Sequence, residues 1–180
     1  MDNRNGLTEI INENGVREYV LDINPINAGE CDSIDFVYVE DITELSQDIV
    51  SGEAKISGKA ERFTDFVNLH LAISAELTVM CAMCNKTLTY PIEFEGVFPV
   101  FEKLQNEEND EYIIPVNGII SLSEFARECI LFELPYRFFC KEDCKGLCSR
   151  CGADLNNGPC GCPAKEPDSR LAKLQDFFKK

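Results

Sequence analysis

The longest regular pattern in this chain is an alternation of apolar and polar side chains that begins at residue 67. Seven successive odd positions carry apolar residues, namely Val67, Leu69, Leu71, Ile73, Ala75, Leu77 and Val79. A period of two residues predicts a long strand with one buried face and one exposed face. His70 falls on the polar face, so we interpret it as an exposed or hydrogen-bonded sheet residue and not as a metal ligand.

Weaker alternation on both sides of this strand predicts further antiparallel strands. Ala54, Ile56 and Ala60 share one side of a preceding strand, and aromatic and β-branched residues favour another strand at residues 34–39. After residue 87 a third alternation places apolar residues at even positions, but beyond Gly96 they continue at odd positions. This change of phase predicts a β-bulge or a bend at Gly96.

Two later segments have the spacing of amphipathic helices. Apolar residues recur every three or four positions over residues 121–134, and Pro135 ends this predicted helix. Cys129 lies on its apolar face, so we expect this thiol in the core. A second apolar stripe predicts a final helix that opens at Pro167, and it consists of Leu171, Leu174, Phe177 and Phe178.

These patterns predict an α+β protein in two parts. Residues 1–139 form a body in which one helix packs on a curved antiparallel sheet, built mainly from residues 16–116. Residues 140–180 form a small C-terminal metal-binding knuckle with the final helix. The chain shows no apolar run that could span a membrane and no apolar signal segment at Met1, so we expect a soluble, cytoplasmic protein.

Charge is distributed unevenly between the two parts. Residues 1–139 contain 26 Asp and Glu against 9 Lys and Arg, a net charge of −17, whereas residues 140–180 contain 6 against 8, a net charge of +2. An acidic surface repels phosphate, which argues against extensive nucleic-acid binding by the body and favours a basic protein partner. Any contact with RNA is better placed in the C-terminal part, where Lys141, Lys145 and Arg150 are available.

The C-terminal part is rich in cysteine. Six of the ten cysteines lie within 23 residues, at Cys140, Cys144, Cys148, Cys151, Cys160 and Cys162. Large apolar residues are almost absent there, so a metal ion is the better organising force. Two thiols at C-x2-C spacing followed by glycine suit a structural zinc site, although iron also accepts four thiolates. Our preferred ligands are Cys144, Cys148, Cys151 and one of Cys160 or Cys162, but the spacing also allows Cys140.

Other uses of the cysteines remain open from the sequence. A disulfide framework requires an oxidising compartment, for which the chain gives no sign. A catalytic zinc usually has His or carboxylate ligands, and the single histidine lies far away at His70. Cys81 and Cys84 lie between two predicted strands, whereas a thioredoxin-like site opens a helix. They are either a metal-binding pair that needs two partners from elsewhere, as part of a second site, or a pair of reduced thiols.

Several of these residues together resemble the YceD family. The similarity rests on Leu134-Pro135, on Cys140-x3-Cys144-Lys-Gly-Leu-Cys148-x2-Cys151-Gly-x-Asp-Leu-Asn156, on Cys160-Gly-Cys162 and on Asp168-Ser-Arg170-Leu-Ala-x-Leu174. The earlier Cys81-x2-Cys84 after a long strand fits the same family. Asp168-Ser-Arg170 departs from the more usual Asp-Pro-Arg, a change that the start of a helix tolerates. The resemblance covers most of the chain and weakens over residues 1–50.

The resemblance implies a role in the accumulation or processing of the large-subunit (23S) ribosomal RNA in bacteria, with relatives in chloroplasts. It supplies no catalytic residues, so we expect a non-enzymatic factor in ribosome biogenesis. Together with the acidic body, it suggests contact with a basic ribosomal protein or assembly factor, while ribosomal RNA could touch the C-terminal part. The alternative is a redox sensor or oxidoreductase that acts through thiols or a metal.

Overall fold

The computed structural model describes residues 6–12, 15–101 and 112–163. The strands and helices follow in the order β1 (Leu7–Ile11), β2 (Arg17–Asp22), α1 (Asn24–Asn27), β3 (Ser33–Asp41), β4 (Ile49–Phe63), β5 (Phe66–Met80), β6 (Thr87–Val100), β7 (Ile119–Ser121) and α2 (Leu122–Glu133). Single 3-10 turns occur at Thr43–Leu45 and Leu155–Asn157. The predicted final helix and residues 164–180 lie outside the described residues.

The strands form two antiparallel sheets, where the sequence predicted one. The larger sheet has the order β3-β4-β5-β6, and the smaller has the order β1-β2-β7. In the smaller sheet, Leu21 of β2 pairs with Ile120 of β7. Nearly a hundred residues separate these two positions, so no local pattern reveals the pairing. The general prediction of a mostly antiparallel protein with one main helix is confirmed.

The alternation in β5 is confirmed. All seven apolar odd positions from Val67 to Val79 are buried, and the intervening His70 is exposed. Ala54, Ile56 and Ala60 of β4 are likewise fully buried. One face of the larger sheet therefore forms the hydrophobic core, and the opposite face, which we call the outer face, is open to solvent.

The bulge predicted at Gly96 is wrong. Strand β6 pairs with β5 in unbroken register from Thr87 to Val100. Val97 is 55 % exposed, whereas Phe98 stays on the core side. A Cβ atom at position 96 would lie 2.7 Å from the Phe98 ring. Gly96 thus lies in a regular strand and leaves space for the Phe98 ring. The apparent change of phase arises because the apolar residues near Gly96 include the exposed Val97.

Helix α2 closes the core. It follows β7 directly and contacts β2 and β6. Its buried residues include Ala126 and Ile130, and Cys129 is only 7 % exposed, which confirms its predicted core position. The Ser123 hydroxyl accepts a 2.9 Å hydrogen bond from the backbone N–H of Tyr19 in β2. The helix is therefore fixed to the smaller sheet by a polar contact as well as by packing.

Candidate metal centres

The connection between β5 and β6 is a tight turn built around Cys81 and Cys84. The N–H of Cys81 donates to the carbonyl of Lys86 at 2.8 Å, and the N–H of Asn85 donates to the carbonyl of Cys81 at 2.9 Å. Asn85 has a φ of 56°, a left-handed conformation that asparagine tolerates better than most residues. The turn holds the Sγ atoms of both cysteines within 4.8 Å of each other.

The same turn occurs a second time at Cys148 and Cys151. Here the N–H of Cys148 donates to the carbonyl of Ala153 at 2.8 Å, and the N–H of Gly152 donates to the carbonyl of Cys148 at 2.9 Å. Gly152 has a φ of 72° and occupies the place that Asn85 has in the first turn. The chain thus contains two equivalent knuckles, each a C-x2-C followed by a residue of positive φ.

Each knuckle meets a second pair of cysteines. Cys81 and Cys84 lie beside Cys140 and Cys144, and within this first thiol group all four Sγ atoms are within 4.8 Å of one another. The Sγ atoms of Cys81 and Cys144 are 3.9 Å apart, and those of Cys84 and Cys140 are 3.6 Å apart. Fifty-six residues separate the members of the latter pair, so the group forms only in the folded chain.

The second thiol group is local in sequence. It consists of Cys148, Cys151, Cys160 and Cys162, whose Sγ atoms again lie within 4.8 Å of one another. Gly161 between the last two has a φ of 75°, a conformation that glycine adopts at little cost. No cysteine belongs to both groups. The other two cysteines, Cys31 and Cys129, lie in neither group.

The geometry of both groups suits one tetrahedral metal ion each. Four thiolates at about 2.3 Å from a zinc ion are about 3.8 Å apart, close to the distances of 3.9 Å and 3.6 Å in the first group. Disulfide sulfur atoms lie at about 2.05 Å, and no disulfide joins any of the ten cysteines, all of which are described. The groups are therefore compatible with a metal ion.

Ionisation in the first group is uneven. Burial would raise the pKa of Cys81, but backbone N–H groups, led by that of Cys140 at 3.4 Å, outweigh burial and lower this pKa to about 6. By contrast, the neighbouring Cys144 raises the pKa of Cys140 to about 12. Adjacent thiolates repel each other, so a cation is needed before all four can ionise.

The second group behaves in the same way. Backbone N–H groups of Arg150 and Cys151 lower the pKa of Cys148 to about 6. The side chain of Cys151 raises the pKa of Cys162 to about 12. Each group therefore combines a thiol that is readily ionised at neutral pH with one that stays protonated unless a cation binds.

Hydrogen bonds attach residues 140–163, which we call the C-terminal module, to the turn between β5 and β6. The N–H of Leu147 donates to the carbonyl of Met83 at 3.1 Å, and the N–H of Cys140 donates to Cys81 Sγ at 3.4 Å. Just before the module, the carbonyl of Phe138 accepts a 2.9 Å hydrogen bond from the N–H of Ala82. Gly146 approaches so closely that an added Cβ would lie 2.8 Å from the Met83 carbonyl. The module therefore lies against the body at the first knuckle.

The structure places all eight predicted site cysteines in the two groups, but it divides them differently from our preferred set. Cys144 joins Cys81, Cys84 and Cys140, whereas Cys148 and Cys151 are completed by both Cys160 and Cys162. Cys144 is close to Cys148 along the chain, but the fold places the two thiols in different groups. The missing signal was the shared C-x2-C-(Asn or Gly) motif, which identifies the two knuckles as the cores of two separate groups.

A family comparison covers this whole region. The model of the family described as "Large ribosomal RNA subunit accumulation protein YceD" matches residues 69–178. This chain belongs to the YceD family. The YceD match begins within β5 and includes every cysteine of both thiol groups. The resemblance inferred from the cysteine motifs is thereby confirmed.

Individual relatives match different shares of the chain. YlbN of Bacillus subtilis is 26 % identical over 147 residues, which cover 79 % of this chain and 85 % of YlbN. A chloroplastic YCED homolog of Arabidopsis thaliana is 37 % identical over 55 residues, 31 % of this chain and 17 % of the plant protein. The chain also matches 29 % of a Mycobacterium leprae protein, with 39 % identity over 63 residues. No solved structure matches.

Membrane crossing by a helix finds no support in the described part of the chain. Its longest helix, α2, has 12 residues, and none of the helices there combines the length and the apolar character that a bilayer span requires.

Proposed function

We propose that this protein is a non-enzymatic, cytoplasmic factor that supports the accumulation or processing of 23S ribosomal RNA during large-subunit assembly. The observation that carries the proposal is the YceD family match over residues 69–178. Ribosomal proteins are typically basic, and in this proposal the acidic body binds a basic ribosomal protein or assembly factor. A structural zinc held by the cysteines orders the C-terminal module, which is the part available for RNA.

The outer face of the larger sheet supports a basic partner. Register arranges its side chains in rows across the strands, and four consecutive rows, from Asp35–Lys59–His70–Val97 to Asp41–Glu53–Glu76–Pro91, make up a patch of sixteen positions. Its charged residues are six carboxylates and two lysines, namely Asp35, Asp41, Glu53, Glu76, Glu93, Glu95, Lys55 and Lys59. The patch thus carries a net charge of −4. Depressions of about 360–620 Å³ follow one another along it.

Four glutamates of this patch, Glu53, Glu76, Glu93 and Glu95, make no ion pair that would stabilise the fold within the described residues. Glu53 on β4 lies directly opposite Glu76 on β5, and like charges at such positions destabilise a sheet. Glu93 and Glu95 project from the edge strand β6. A surface that retains such repulsion suits a partner that supplies positive charge.

The valines of the outer face add apolar contact area to this charge. Val37 and Val39 on β3 are 59 % and 52 % exposed, and Val97 on β6 is 55 % exposed. Small residues, Ala72 and Ser74 of β5, lie between them in the middle of the patch. A partner segment could therefore lie close to the backbone of β5 with charged contacts at its sides.

A set of variants tests whether the outer face binds a basic partner. Glu76→Gln, Glu93→Gln and Glu95→Gln together remove three charges from the outer face, and the matched control Glu30→Gln, Glu128→Gln and Glu133→Gln removes three exposed charges from elsewhere. In a pull-down at moderate salt, we expect the wild type and the control to enrich basic ribosomal proteins and the outer-face variant to lose them. No enrichment by the wild type would count against the basic partner.

A cellular measurement tests the rest of the proposal. Depletion of the protein should lower the ratio of 23S to 16S ribosomal RNA or accumulate 23S precursors, and the control variant should restore the wild-type ratio. The outer-face variant should restore it poorly. Unchanged 23S levels and processing after depletion would contradict a role in ribosome assembly.

A redox sensor is the second candidate, and the lowered thiol pKa values favour it. Cys81 and Cys148 have pKa values of about 6, and ionised thiols are the ones that oxidants attack. Mild peroxide treatment followed by thiol labelling separates the two functions. Rapid, reversible oxidation of the purified protein at low peroxide would favour the sensor, whereas protected thiols favour structural metal binding.

A further inference from the structure

We infer that the protein binds two zinc ions, one in each thiol group, and that the ion in the first group is the clamp that fastens the C-terminal module to the β5–β6 hairpin. This inference rests on the structural zinc of the proposed function and extends it. The two ions have different roles, because the first joins two distant parts of the chain and the second orders a local loop.

The count of ligands supports two separate ions. Eight cysteines divide into two sets of four, and no Sγ atom is shared between the sets. Each set therefore supplies the four ligands of a closed tetrahedral site without help from the other. Both sets are built on the same knuckle, in which the residue after the second cysteine, Asn85 or Gly152, has a positive φ. Equal local geometry predicts the same kind of ion in both.

The placement of the first group makes its ion a clamp. Cys81 and Cys84 belong to the turn between β5 and β6, and both are almost fully buried. Cys140 and Cys144 belong to the C-terminal module and lie 56 to 63 residues further along the chain. An ion bound by all four cysteines would close a loop of about sixty residues. The free energy of metal binding would then hold the C-terminal module against the β5–β6 hairpin.

Packing alone gives the module little hold on the body. Phe138, which is buried and packs edge-on against Tyr90 at 5.1 Å between ring centroids, precedes the module and belongs to the body. The neighbouring Tyr136 and Phe139 are 93 % and 50 % exposed, and Leu147 of the module is 37 % exposed. Among the described residues, the module also contacts the body through a few hydrogen bonds and the ion pair between Lys86 and Asp154, each of modest strength in water. Metal ligation is therefore the strongest available link.

The experiment counts metal in the full-length protein purified without added chelator. Native mass spectrometry and elemental analysis are applied to the wild type, to Cys81→Ser/Cys84→Ser and to Cys160→Ser/Cys162→Ser. The control is Cys31→Ser, because Cys31 belongs to neither group. We expect two zinc ions per chain in the wild type and the control, and one in each double variant.

Limited proteolysis then shows whether the ion in the first group holds the C-terminal module on the hairpin or only orders a local loop. In Cys81→Ser/Cys84→Ser, cleavage between residues 133 and 147 should be at least tenfold faster than in the wild type, because the module has left the hairpin. In Cys160→Ser/Cys162→Ser the same segment should stay protected, and faster cleavage should be confined to residues 148–163. Equal protection of residues 133–147 in all variants would overturn the clamp.

The outcomes also distinguish this inference from the proposed function. One zinc in the wild type, retained in Cys81→Ser/Cys84→Ser, would overturn the two-ion inference and leave the proposed structural zinc intact. Iron in place of zinc, or no metal at all, would overturn both. If the Cys81→Ser/Cys84→Ser variant fails to fold, titration of the metal-stripped wild type with Co²⁺ gives the number of bound ions instead. We expect the thiolate absorption to saturate at two equivalents of Co²⁺. Saturation at one equivalent would contradict the inference.

Discussion

Lys86 Nζ lies 2.6 Å from Asp154 Oδ2, and this ion pair joins the first knuckle to the C-terminal module. Hydrogen bonding to Lys86 is the main reason that the pKa of Asp154 falls to about 2. Asp154 Oδ1 also accepts hydrogen bonds from the backbone and side-chain N–H groups of Asn156. The Asn156 amide in turn lies 3.5 Å from Cys144 Sγ. Asp154 thus orients a group that contacts the first thiol group.

Replacement of this carboxylate should loosen the first metal site without removing it. Asp154→Asn abolishes the ion pair with Lys86 and weakens the orientation of Asn156. Loss of such supporting contacts typically lowers metal affinity by about 10- to 100-fold. Competition with a chromophoric chelator should show faster release of one of the two ions. Asp143→Asn, which changes an exposed carboxylate of the same module, should leave the release rate unchanged.

The docking of the C-terminal module should depend on the absence of a side chain at position 146. Gly146→Ala places a methyl group 2.8 Å from the Met83 carbonyl and forces alanine into a φ of 68°. The conformation alone costs about 1–2 kcal/mol, and the clash adds to it. We expect faster proteolysis of the module and weaker binding of one metal ion.

The matched control for this substitution is Gly15→Ala. Gly15 has a similar φ of 76°, but an added Cβ would have no contact within 4 Å among the described residues beyond its chain neighbours. This variant should lose stability from the conformation alone and keep both metal affinities. Equal behaviour of the two variants would show that the close approach to Met83 is unimportant.

The larger sheet should be intolerant of a side chain at position 58. A Cβ there would lie 2.1 Å from the His70 carbonyl and 2.6 Å from the Phe36 ring, so Gly58→Ala must separate β4 from β5. Overpacking of this kind costs about 1–3 kcal/mol, and backbone atoms cannot move aside as a side chain can. Urea unfolding should report a loss of about 2 kcal/mol or more.

Gly52→Ala provides the comparison within the same strand. Its Cβ would clash with the end of the Leu77 side chain, whereas the Cα atom of Leu77 would be 3.5 Å away. Leu77 can shift its methyl group, so the loss in unfolding free energy should be smaller than for Gly58→Ala. A larger loss at position 52 would contradict this account of the sheet.

The buried carboxylate of Glu40 should make stability depend on pH. Burial raises the pKa of Glu40 above its ordinary value of 4.5, although its ion pair with Arg127 opposes the shift. Folded protein thus holds this proton more tightly than unfolded protein does. The resulting stabilisation is complete below about pH 4.5 and is lost as the pH rises through the folded-state pKa.

Glu40→Gln removes this titration. Its unfolding free energy relative to the wild type should therefore increase as the pH rises from 5 to 7, which denaturant unfolding at several pH values measures. The exposed Glu44→Gln is the control and should show a difference from the wild type that does not change with pH. A flat difference for Glu40→Gln would mean that Arg127 fully compensates the burial of the carboxylate.

Much of the body could be predicted because strands and amphipathic helices leave local patterns. The seven odd positions of β5 and the apolar face that includes Cys129 were both identified before any tertiary contact was known, and both are buried. Gly96 shows the limit of such patterns. The phase of apolar residues changes there, yet the ladder with β5 is regular, because exposed Val97 looks like a core residue in sequence.

Local sequence is enough to predict that the cysteines bind metal, that the body is acidic and that the motifs resemble the YceD family. Which thiols meet depends on the fold. Cys144 joins Cys81 across 63 residues and not Cys148 beside it. The entropic cost of closing a loop grows only logarithmically with its length, so spacing along the chain could not choose between a near partner and a distant one. The pairing of β5 with β6 made that choice, since it holds Cys81 and Cys84 at the one turn that the C-terminal module reaches.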